Sequence, residues 1–129
     1  MPAYDASLFN PPAPLAKVTL RNQENGNTTS DVPMLLDTGA DVTLIPQSSV
    51  SQLGLTIDLS EGNELMGFDG RLSVAPAVQL DLILLGRVFR GRFLIINQEW
   101  GVIGRNIINI NQVSLRLDGP ELNWSEEGP

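Results

Sequence analysis

Short segments of alternating apolar and polar residues, separated by turn residues, run through most of the chain. The segment from Leu15 to Arg21 alternates in this way and predicts a first strand. Asn25-Gly26 then favours a reversal of the chain, and Val32 to Asp37 predicts a second strand. Val42 to Ile45 predicts a third strand, which ends at Pro46 because proline cannot donate a hydrogen bond to a neighbouring strand.

The middle of the chain predicts longer hairpins. The stretch "NELMGFDGRLSV" has the pattern of a hairpin, with Gly67 and Asp69-Gly70 at its tip. Apolar and polar residues alternate again from Val78 to Leu84, and Gly86 then turns the chain. The strand that follows places three apolar residues on one face, namely Phe89, Phe93 and Ile95.

The remaining segments are short. "PQSSVSQLGL" predicts one short helix with serine caps, and Trp100 to Ile103 predicts a short strand. Gly104-Arg105-Asn106 leads into one or two helical turns, and "VSLRLDGPELNW" predicts a last hairpin around Asp118-Gly119. Many short strands separated by turns indicate a closed or sandwiched all-β fold.

The length of 129 residues suits one domain, and 42% apolar residues are enough to form a buried core. The first fourteen residues predict an extended, mobile arm, because their prolines disfavour helix and interrupt strand pairing. We therefore expect a Pro-rich arm over residues 1–14, a folded domain over 15–124 and a flexible tail over 125–129.

The formal net charge of −7 argues against a nucleic-acid partner, which would require basic residues to neutralise phosphates. Three arginines cluster near a predicted turn, which is typical of a solvated strand face (Arg87, Arg90, Arg92). No apolar run reaches the roughly 20 residues of a membrane-spanning helix. The N-terminal stretch also lacks the pattern of a signal peptide, so we expect a cytoplasmic protein without a membrane partner.

Cysteine and histidine are both absent from the chain. Their absence excludes disulfides, cysteine nucleophiles, Ser-His-Asp triads and nearly all zinc sites. Catalysis, if present, would have to use carboxylates, hydroxyls, Lys or Arg, or a metal bound only by oxygen. Asp37 and Asp41 are poorly spaced for such a metal, and no third ligand stands out, so we expect no metal and no cofactor.

The stretch "MLLDTGADVTLIP" places two carboxylates among aliphatic residues. The simplest interpretation is a turn, because Asp-Thr-Gly is common in turns and Asp side chains accept hydrogen bonds from the nearby backbone. The residues around this stretch favour a functional carboxylate over a simple turn. A strand of large aliphatic residues leads into Asp37, Gly39 allows close approach of another group, and a second apolar strand follows.

Two motifs together carry a resemblance to a known family. "LLDTGADVTLI" and "VIGRNII" resemble the active-site and C-terminal signatures of retropepsin-like aspartic proteases, the group that contains the retroviral proteases. Their order and separation, from Asp37 to Gly104, are similar to those of the family, and the resemblance spans roughly Leu15 to Asn109. It implies an all-β, closed β-barrel-like acid protease fold, with a single lobe and one short helix after Gly-Arg-Asn.

The resemblance also implies an aspartic endopeptidase, in which two carboxylates hold one water and share one proton. The chain has one Asp-Thr-Gly, while "GFDGR" and "RLDGP" lack the hydroxyl residue. We therefore expect a homodimer in which Asp37 of each subunit contributes one carboxylate to cleave a peptide or protein substrate. The alternatives are a dimeric peptide-binding module of the same fold without catalysis, and a metal enzyme with oxygen ligands.

Family roles carry over to the matching residues. The resemblance implies that Asp37 is catalytic and that Thr38 joins the two active-site loops across the dimer axis. Gly39 would let the substrate backbone approach closely. Asp41 would pair with Arg105, since arginine can bind a carboxylate through two hydrogen bonds. Both would then support the loop, and Asn106 would cap the helix rather than touch substrate.

The resemblance implies further substrate contacts. Met66, Gly67 and Phe68 occupy the place of the family's flap, although Phe68 and Asp69 depart from the Gly- and Ile-rich retroviral tip. Trp100 lies in a pocket-lining segment, where the core and the dimer interface are equal alternatives. The remaining positions lie beside the catalytic loop or match pocket walls for which core packing is the alternative (Ala40, Leu35, Leu44, Val102).

Overall fold

The computed structural model describes residues 2–55, 58–66, 72–109 and 114–126. Ten strands and two short helices lie in these ranges. The strands are β1 (Tyr4–Asp5), β2 (Ala13–Arg21), β3 (Thr28–Leu36), β4 (Leu44–Pro46), β5 (Asp58–Met66), β6 (Leu72–Leu84), β7 (Arg87–Ile96), β8 (Gly101–Ile103), β9 (Leu115–Asp118) and β10 (Asn123–Glu126). The helices are α1 (Gln47–Ser51) and α2 (Arg105–Ile108).

Six of these strands close into a barrel in the order β2-β3-β8-β4-β7-β6, and β6 pairs back to β2. The pairs β3–β8 and β4–β7 are parallel, and the other four pairs around the barrel are antiparallel. β1 extends the sheet beside β2, β5 extends it beside β6, and β9 and β10 form a separate hairpin. The predicted all-β, closed-barrel fold is confirmed.

Alternation along the strands fills the barrel. In β2, Ala16, Val18 and Leu20 are fully or almost fully buried, whereas Lys17 between them is exposed. Similar inward-facing residues of β3, β6, β7 and β8 complete one apolar core. Trp124 of β10 is 2% exposed in the same core, and its indole Nε1–H donates a 3.1 Å hydrogen bond to the carbonyl of Leu15. The terminal hairpin therefore packs on the barrel of its own chain.

Several predicted boundaries differ from the structure. β2 begins at Ala13, two residues before the predicted start, and β3 begins at Thr28 rather than Val32. The early part of β3 was obscured by its polar residues, and it includes Asp31 with a φ of +58° beside a register shift between the two strands. The prediction of serine caps was wrong, because α1 begins after Pro46 without a side-chain cap.

The N-terminal arm is hydrogen-bonded to the rest of the molecule. β1 pairs with β2, and the Tyr4 N–H donates a 2.6 Å hydrogen bond to the carbonyl of Leu122. The Trp124 N–H donates a 2.9 Å hydrogen bond to the carbonyl of Pro2. The arm and the terminal hairpin are thus joined, and β10 continues to Glu126, within the predicted tail. The division into arm, domain and tail stays a prediction.

A buried carboxylate lies at the β2–β6 pairing that closes the barrel. Asp81 is 0% exposed and accepts hydrogen bonds from Arg21 of β2 at 2.8 and 3.0 Å and from Gln23 at 2.9 Å. Arg90 of β7 adds a 3.0 Å hydrogen bond. Hydrogen bonds from Arg90, and then from Arg21 and Gln23, outweigh burial and lower the pKa of Asp81 to about 2.

The arginine cluster predicted as a solvated face therefore has structural partners. Arg90 holds the carboxylate of Asp81, and Arg87 of the same strand pairs with Glu126 of β10. Both arginine side chains remain partly or largely exposed. The first contact ties β7 to β6, and the second ties β7 to the terminal hairpin.

Candidate active site

Asp37 directly follows β3, and its backbone is fixed by the neighbouring strand. Leu36 ends β3 with a buried side chain, and the Asp37 N–H donates a 3.0 Å hydrogen bond to the carbonyl of Ile103. The Ala40 N–H returns to the carbonyl of Asp37 at 3.2 Å and closes a turn. The parallel pair β3–β8 thus sets the point at which the chain leaves the sheet and presents Asp37.

The carboxylate of Asp37 is held in a defined orientation. Its Oδ1 accepts a 2.9 Å hydrogen bond from the Gly39 N–H, and its side chain is partly exposed. A Cβ at position 39 would lie 3.2 Å from the same oxygen, so a glycine fits best at this site. Thr38 and Gly39 are exposed and Ala40 is partly exposed. The loop therefore presents one fixed carboxylate oxygen and one open one to the outside.

The helix α2 packs directly beneath this loop. A Cβ on Gly104 would lie 2.4 Å from the carbonyl oxygen of Val42 and 2.9 Å from that of Ala40, so only a glycine fits without movement. The Arg105 N–H donates a 2.8 Å hydrogen bond to the carbonyl of Ala40. The close approach and the hydrogen bond join the two sequence motifs in space.

The side chain of Arg105 adds two contacts to the same loop. It donates a 3.1 Å hydrogen bond to the carbonyl of Thr38 and also pairs with the carboxylate of Asp41. The Arg105 side chain is 45% exposed and that of Asp41 is 81% exposed. Solvent screens such a pair, so its main effect is to fix the position of the loop.

Thr43 supplies a buried support that the sequence did not suggest. Its hydroxyl donates a 2.7 Å hydrogen bond to Oδ1 of Asn106 and accepts one of 3.1 Å from the Gly104 N–H. Thr43 is 1% exposed. The prediction that Asn106 caps the helix was wrong. Gly104 is the N-cap of α2, and no side chain caps this helix. A hydroxyl residue within the predicted apolar strand from Val42 to Ile45 was the sequence signal that could have indicated this support.

An apolar outer face borders the Asp37 loop. In the paired strands Leu35 lies beside Val102, and Val102 lies beside Leu44. Leu35 and Leu44 are partly exposed and Val102 is 8% exposed, whereas Met34, next to Leu35, is fully buried in the core. Strand alternation therefore directs the first three side chains away from the core.

Trp100 lies two residues before Val102 and contacts an aromatic residue that was not predicted. Its ring meets that of Phe9 edge to face, with 4.8 Å between centroids and 62° between planes. The carbonyl of Trp100 accepts a 2.8 Å hydrogen bond from the side chain of Gln98. Phe9 is 91 residues earlier in the chain, so no local pattern could have joined them.

The structure brings most predicted site residues together in one loop and helix (Asp37, Thr38, Gly39, Ala40, Asp41, Arg105). Met66 ends β5 opposite Leu72 of β6, which gives the predicted hairpin. The other residues predicted for the flap, Gly67 and Phe68, lie outside the described residues, as do Asp69 and Gly70.

Among the described residues, no group of three or more carboxylates is arranged to hold a metal ion. No helix in that part of the chain is both long and apolar enough to cross a membrane.

Comparison with known proteins agrees with this geometry. A family model described as aspartyl protease matches residues 16–107, which include the Asp37 loop, β8 and most of α2. Among solved structures, the EIAV protease complexed with the inhibitor HBY-793 is similar with a TM-score of 0.58 and 20% identity. The match covers 75% of this chain and 86% of that chain, and it confirms the retroviral-protease-like fold. The comparison with curated proteins gave no match.

Proposed function

Because this chain belongs to the aspartyl protease family, we propose that it is an aspartic endopeptidase that works as a homodimer. Asp37 of each subunit supplies one of the two carboxylates that activate the hydrolytic water. The substrate is a peptide or a protein segment in extended conformation. The cytoplasmic location expected from the sequence stays a prediction.

One observation carries the proposal. The partly exposed Asp37 carboxylate is held by the Gly39 N–H at 2.9 Å, at the end of a buried strand. The sequence contains a single Asp-Thr-Gly. Carboxylate-catalysed peptide hydrolysis needs both a base and an acid at the same bond. A two-fold axis beside the loop supplies the second group as the partner's Asp37.

The reaction follows from two carboxylates that share one proton. The ionised Asp37 removes a proton from water while the water oxygen attacks the carbonyl carbon of the scissile bond. Asp37 of the partner subunit gives its proton to the carbonyl oxygen, and a tetrahedral diol forms. The proton held by the first Asp37 then moves to the amide nitrogen, a diol hydroxyl returns its proton to the partner's Asp37, and the C–N bond breaks. A free amine and a carboxylic acid leave.

The other loop residues position these groups. Arg105 holds the carbonyl of Thr38 at 3.1 Å and pairs with Asp41, so the loop keeps its shape when substrate binds. Thr38 is exposed beside Asp37, and we assign it to the contact between the two loops of the dimer. Gly39 and Ala40 are assigned to the substrate backbone, since neither carries a side chain that would block its approach.

The proposed flap and pocket complete the site. Met66, Gly67 and Phe68 are assigned to a flap that covers the substrate and excludes water. Trp100 and Val102 are assigned to the pocket for a substrate side chain. The apolar face beside the Asp37 loop supports this assignment, because Leu35, Val102 and Leu44 are adjacent in the paired strands.

The experiment is a cleavage assay of denatured protein substrates from pH 3 to pH 8, with Asp37→Asn beside the wild type. A matched control is Asp31→Asn, a carboxylate on the same strand with an exposed side chain. Its φ of +58° suits asparagine as well as aspartate. We expect the wild type and Asp31→Asn to cleave and Asp37→Asn to be inactive.

Two results would count against the proposal. Equal cleavage by Asp37→Asn would remove the catalytic role of this residue. Stable binding of a peptide that the folded wild-type dimer leaves intact at every pH would instead favour the peptide-binding module without catalysis.

A further inference from the structure

The N-terminal arm and the terminal hairpin enclose a cavity against the barrel. The cavity measures about 480 Å³, a volume typical of sites for small molecules. Its inner surface is apolar and buried, since Leu15 is 8% exposed, Leu84 4% and Trp124 2%. Residues 2–5 of the arm form another wall. None of the described lining residues belongs to the Asp37 loop or to α2, so this cavity is separate from the proposed active site.

Leu85, which also lines the cavity, is unusual for its position in the chain. Leu85 and Gly86 form the two-residue turn between β6 and β7, with φ of +53° and +76°. Such turns favour Asn-Gly, because most side chains are disfavoured in the left-handed region. Position 85 nevertheless holds a leucine that is 39% exposed. Backbone preference does not explain this leucine, whereas an apolar wall for a bound molecule does.

Lys17 places a positive charge on the lining of the same cavity. It is the only lysine of the chain, and its side chain is exposed. Lys17 makes no hydrogen bond or ion pair with another described residue. Five arginines, in contrast, pair with carboxylates (Arg21, Arg87, Arg90, Arg105, Arg116). The ammonium group of Lys17 is therefore available to a ligand.

Asp5 is the one carboxylate among the described lining residues, and its oxygens are used within its own turn. They accept hydrogen bonds from the Leu8 N–H at 2.7 Å and from the Ser7 N–H at 2.9 Å. These bonds, together with the nearby charge of Lys17, lower the pKa of Asp5. The three ammonium hydrogens of Lys17 can still bind a further acceptor.

We propose that this cavity binds a small carboxylate that carries an apolar chain or ring. The carboxylate pairs with Lys17, and the apolar part packs against Leu84, Leu85 and Trp124. A lysine suits this role because its ammonium group binds a carboxylate while its methylene stem lies along apolar surface. The apolar part of the ligand gains free energy by leaving water. The inference goes beyond the proposed peptidase function and does not depend on it.

The test uses octanoate as the probe and the wild-type protein as it assembles in solution. Chemical shifts of the Lys17 and Leu85 amides are followed by NMR during titration. Octanol and octyltrimethylammonium carry the same chain without the negative charge, and acetate carries the charge without the chain. We expect octanoate to bind with a Kd on the order of 0.5 mM and each of the other three to bind at least about fivefold more weakly.

The single lysine allows a second measurement at the site itself. An amine-acetylating reagent modifies Lys17, and mass spectrometry of the peptide that contains it gives the rate. Saturating octanoate should slow this acetylation by about threefold or more, because the ligand covers the ammonium group. Octanol at the same concentration should leave the rate unchanged.

Two charge variants test the role of Lys17. Lys17→Met keeps the apolar stem and should weaken octanoate binding by about fivefold, a modest factor because the ion pair is exposed. Lys17→Arg should restore most of the affinity. The control Arg116→Met removes the same charge from β9, outside the described lining residues, and should bind octanoate like the wild type.

Two leucine variants test the apolar wall without a risk to folding. Leu85→Asn suits the left-handed backbone, so its melting temperature should equal or exceed that of the wild type. Its affinity for octanoate should nevertheless fall by about fivefold. The control is Leu122→Asn, which replaces another exposed leucine of positive φ, +52°, outside the described lining residues. It should bind octanoate like the wild type.

Three results would overturn the inference. The first is equal affinity of the wild type for octanoate and octyltrimethylammonium. The second is an unchanged Kd for octanoate in both Lys17→Met and Leu85→Asn. The third is no saturable binding of octanoate by a wild-type assembly in which Lys17 already resists acetylation, since a neighbouring subunit would then cover the cavity.

Discussion

The hydroxyl of Thr43 donates a 2.7 Å hydrogen bond to Oδ1 of Asn106, and this contact joins the segment after the Asp37 loop to α2. The same hydroxyl accepts a hydrogen bond from the Gly104 N–H. Because Thr43 is almost fully buried, the bond from the Gly104 N–H lies away from water, where an unpaired donor is costly. The hydroxyl oxygen of Thr43 is therefore one of the contacts that hold the segment after the loop against α2.

Replacing that oxygen should destabilise the protein. Thr43→Val keeps the shape of the side chain but leaves the buried Gly104 N–H without its acceptor. We expect the free energy of unfolding to fall by about 2 kcal/mol. Urea denaturation measures it, with Thr28→Val on the exposed start of β3 as the control. Equal midpoints for the two variants would show that the hydroxyl gives no net support.

The close approach at Gly104 gives a sharper prediction for activity. Gly104→Ala places a methyl group 2.4 Å from the carbonyl oxygen of Val42, so the loop and α2 must separate. We expect peptide cleavage to fall by on the order of 100-fold, since a displacement of about 1 Å misaligns the catalytic group. The control is Gly91→Ala in β7, where a Cβ meets no atom within 4 Å. Normal activity of Gly104→Ala would contradict this account of the loop.

Substitutions of Asp41 and Arg105 should affect stability and activity to different extents. Asp41→Asn removes a pair in which both side chains are largely exposed, so we expect a loss below about 1 kcal/mol. Arg105→Ala also removes the 3.1 Å hydrogen bond to the Thr38 carbonyl, and cleavage should fall by about tenfold. Thermal melts and kcat measurements on both variants test the difference. A larger loss of activity in Asp41→Asn than in Arg105→Ala would reverse the assignment.

The Asp81 carboxylate predicts how stability depends on pH. Its pKa is lowered from 3.8 to about 2, so folding favours the ionised form. The resulting stabilisation is complete above about pH 4 and is lost as the pH falls from about 4 to 2. The partly exposed arginines reduce its size through solvent screening, and we expect about 1 to 2 kcal/mol.

Unfolding of Asp81→Asn and the wild type between pH 2 and pH 7 measures this contribution. The difference in unfolding free energy between the two proteins should be constant above about pH 4 and should shrink below it. A difference that grows towards pH 2 would have the wrong sign. Asp81 stays ionised in the folded protein at pH 4, so the barrel keeps this contact under mildly acidic assay conditions.

Local sequence patterns predicted the strands of the barrel because their apolar residues recur with a period of two. Leu15 to Arg21 and Val78 to Leu84 both alternate in this way, and both lie in barrel strands. Asp81 lies in the second segment at a position that resembles a solvated face. Its burial depends on Arg21, 60 residues earlier, and no local pattern reveals such a partner.

The candidate site was predictable to a similar extent. Asp37 and Arg105 were identified because their motifs are contiguous in sequence, and the structure brings the two motifs together. The contacts of Thr43 and Phe9 were not predicted, because each joins a residue more than 60 positions away. Whether a second subunit supplies the partner carboxylate depends on assembly, which the sequence of one chain does not encode in a local pattern.

The most direct test of the two-carboxylate mechanism is a subunit-mixing experiment. Wild type and Asp37→Asn are mixed at increasing fractions of the inactive variant, subunits are allowed to exchange, and cleavage is measured at constant total protein. If each active site needs both Asp37 residues, activity follows the square of the wild-type fraction and falls to about a quarter in an equal mixture. Activity that falls only in proportion to the wild-type fraction, to about half, would show that one chain suffices and would contradict the account.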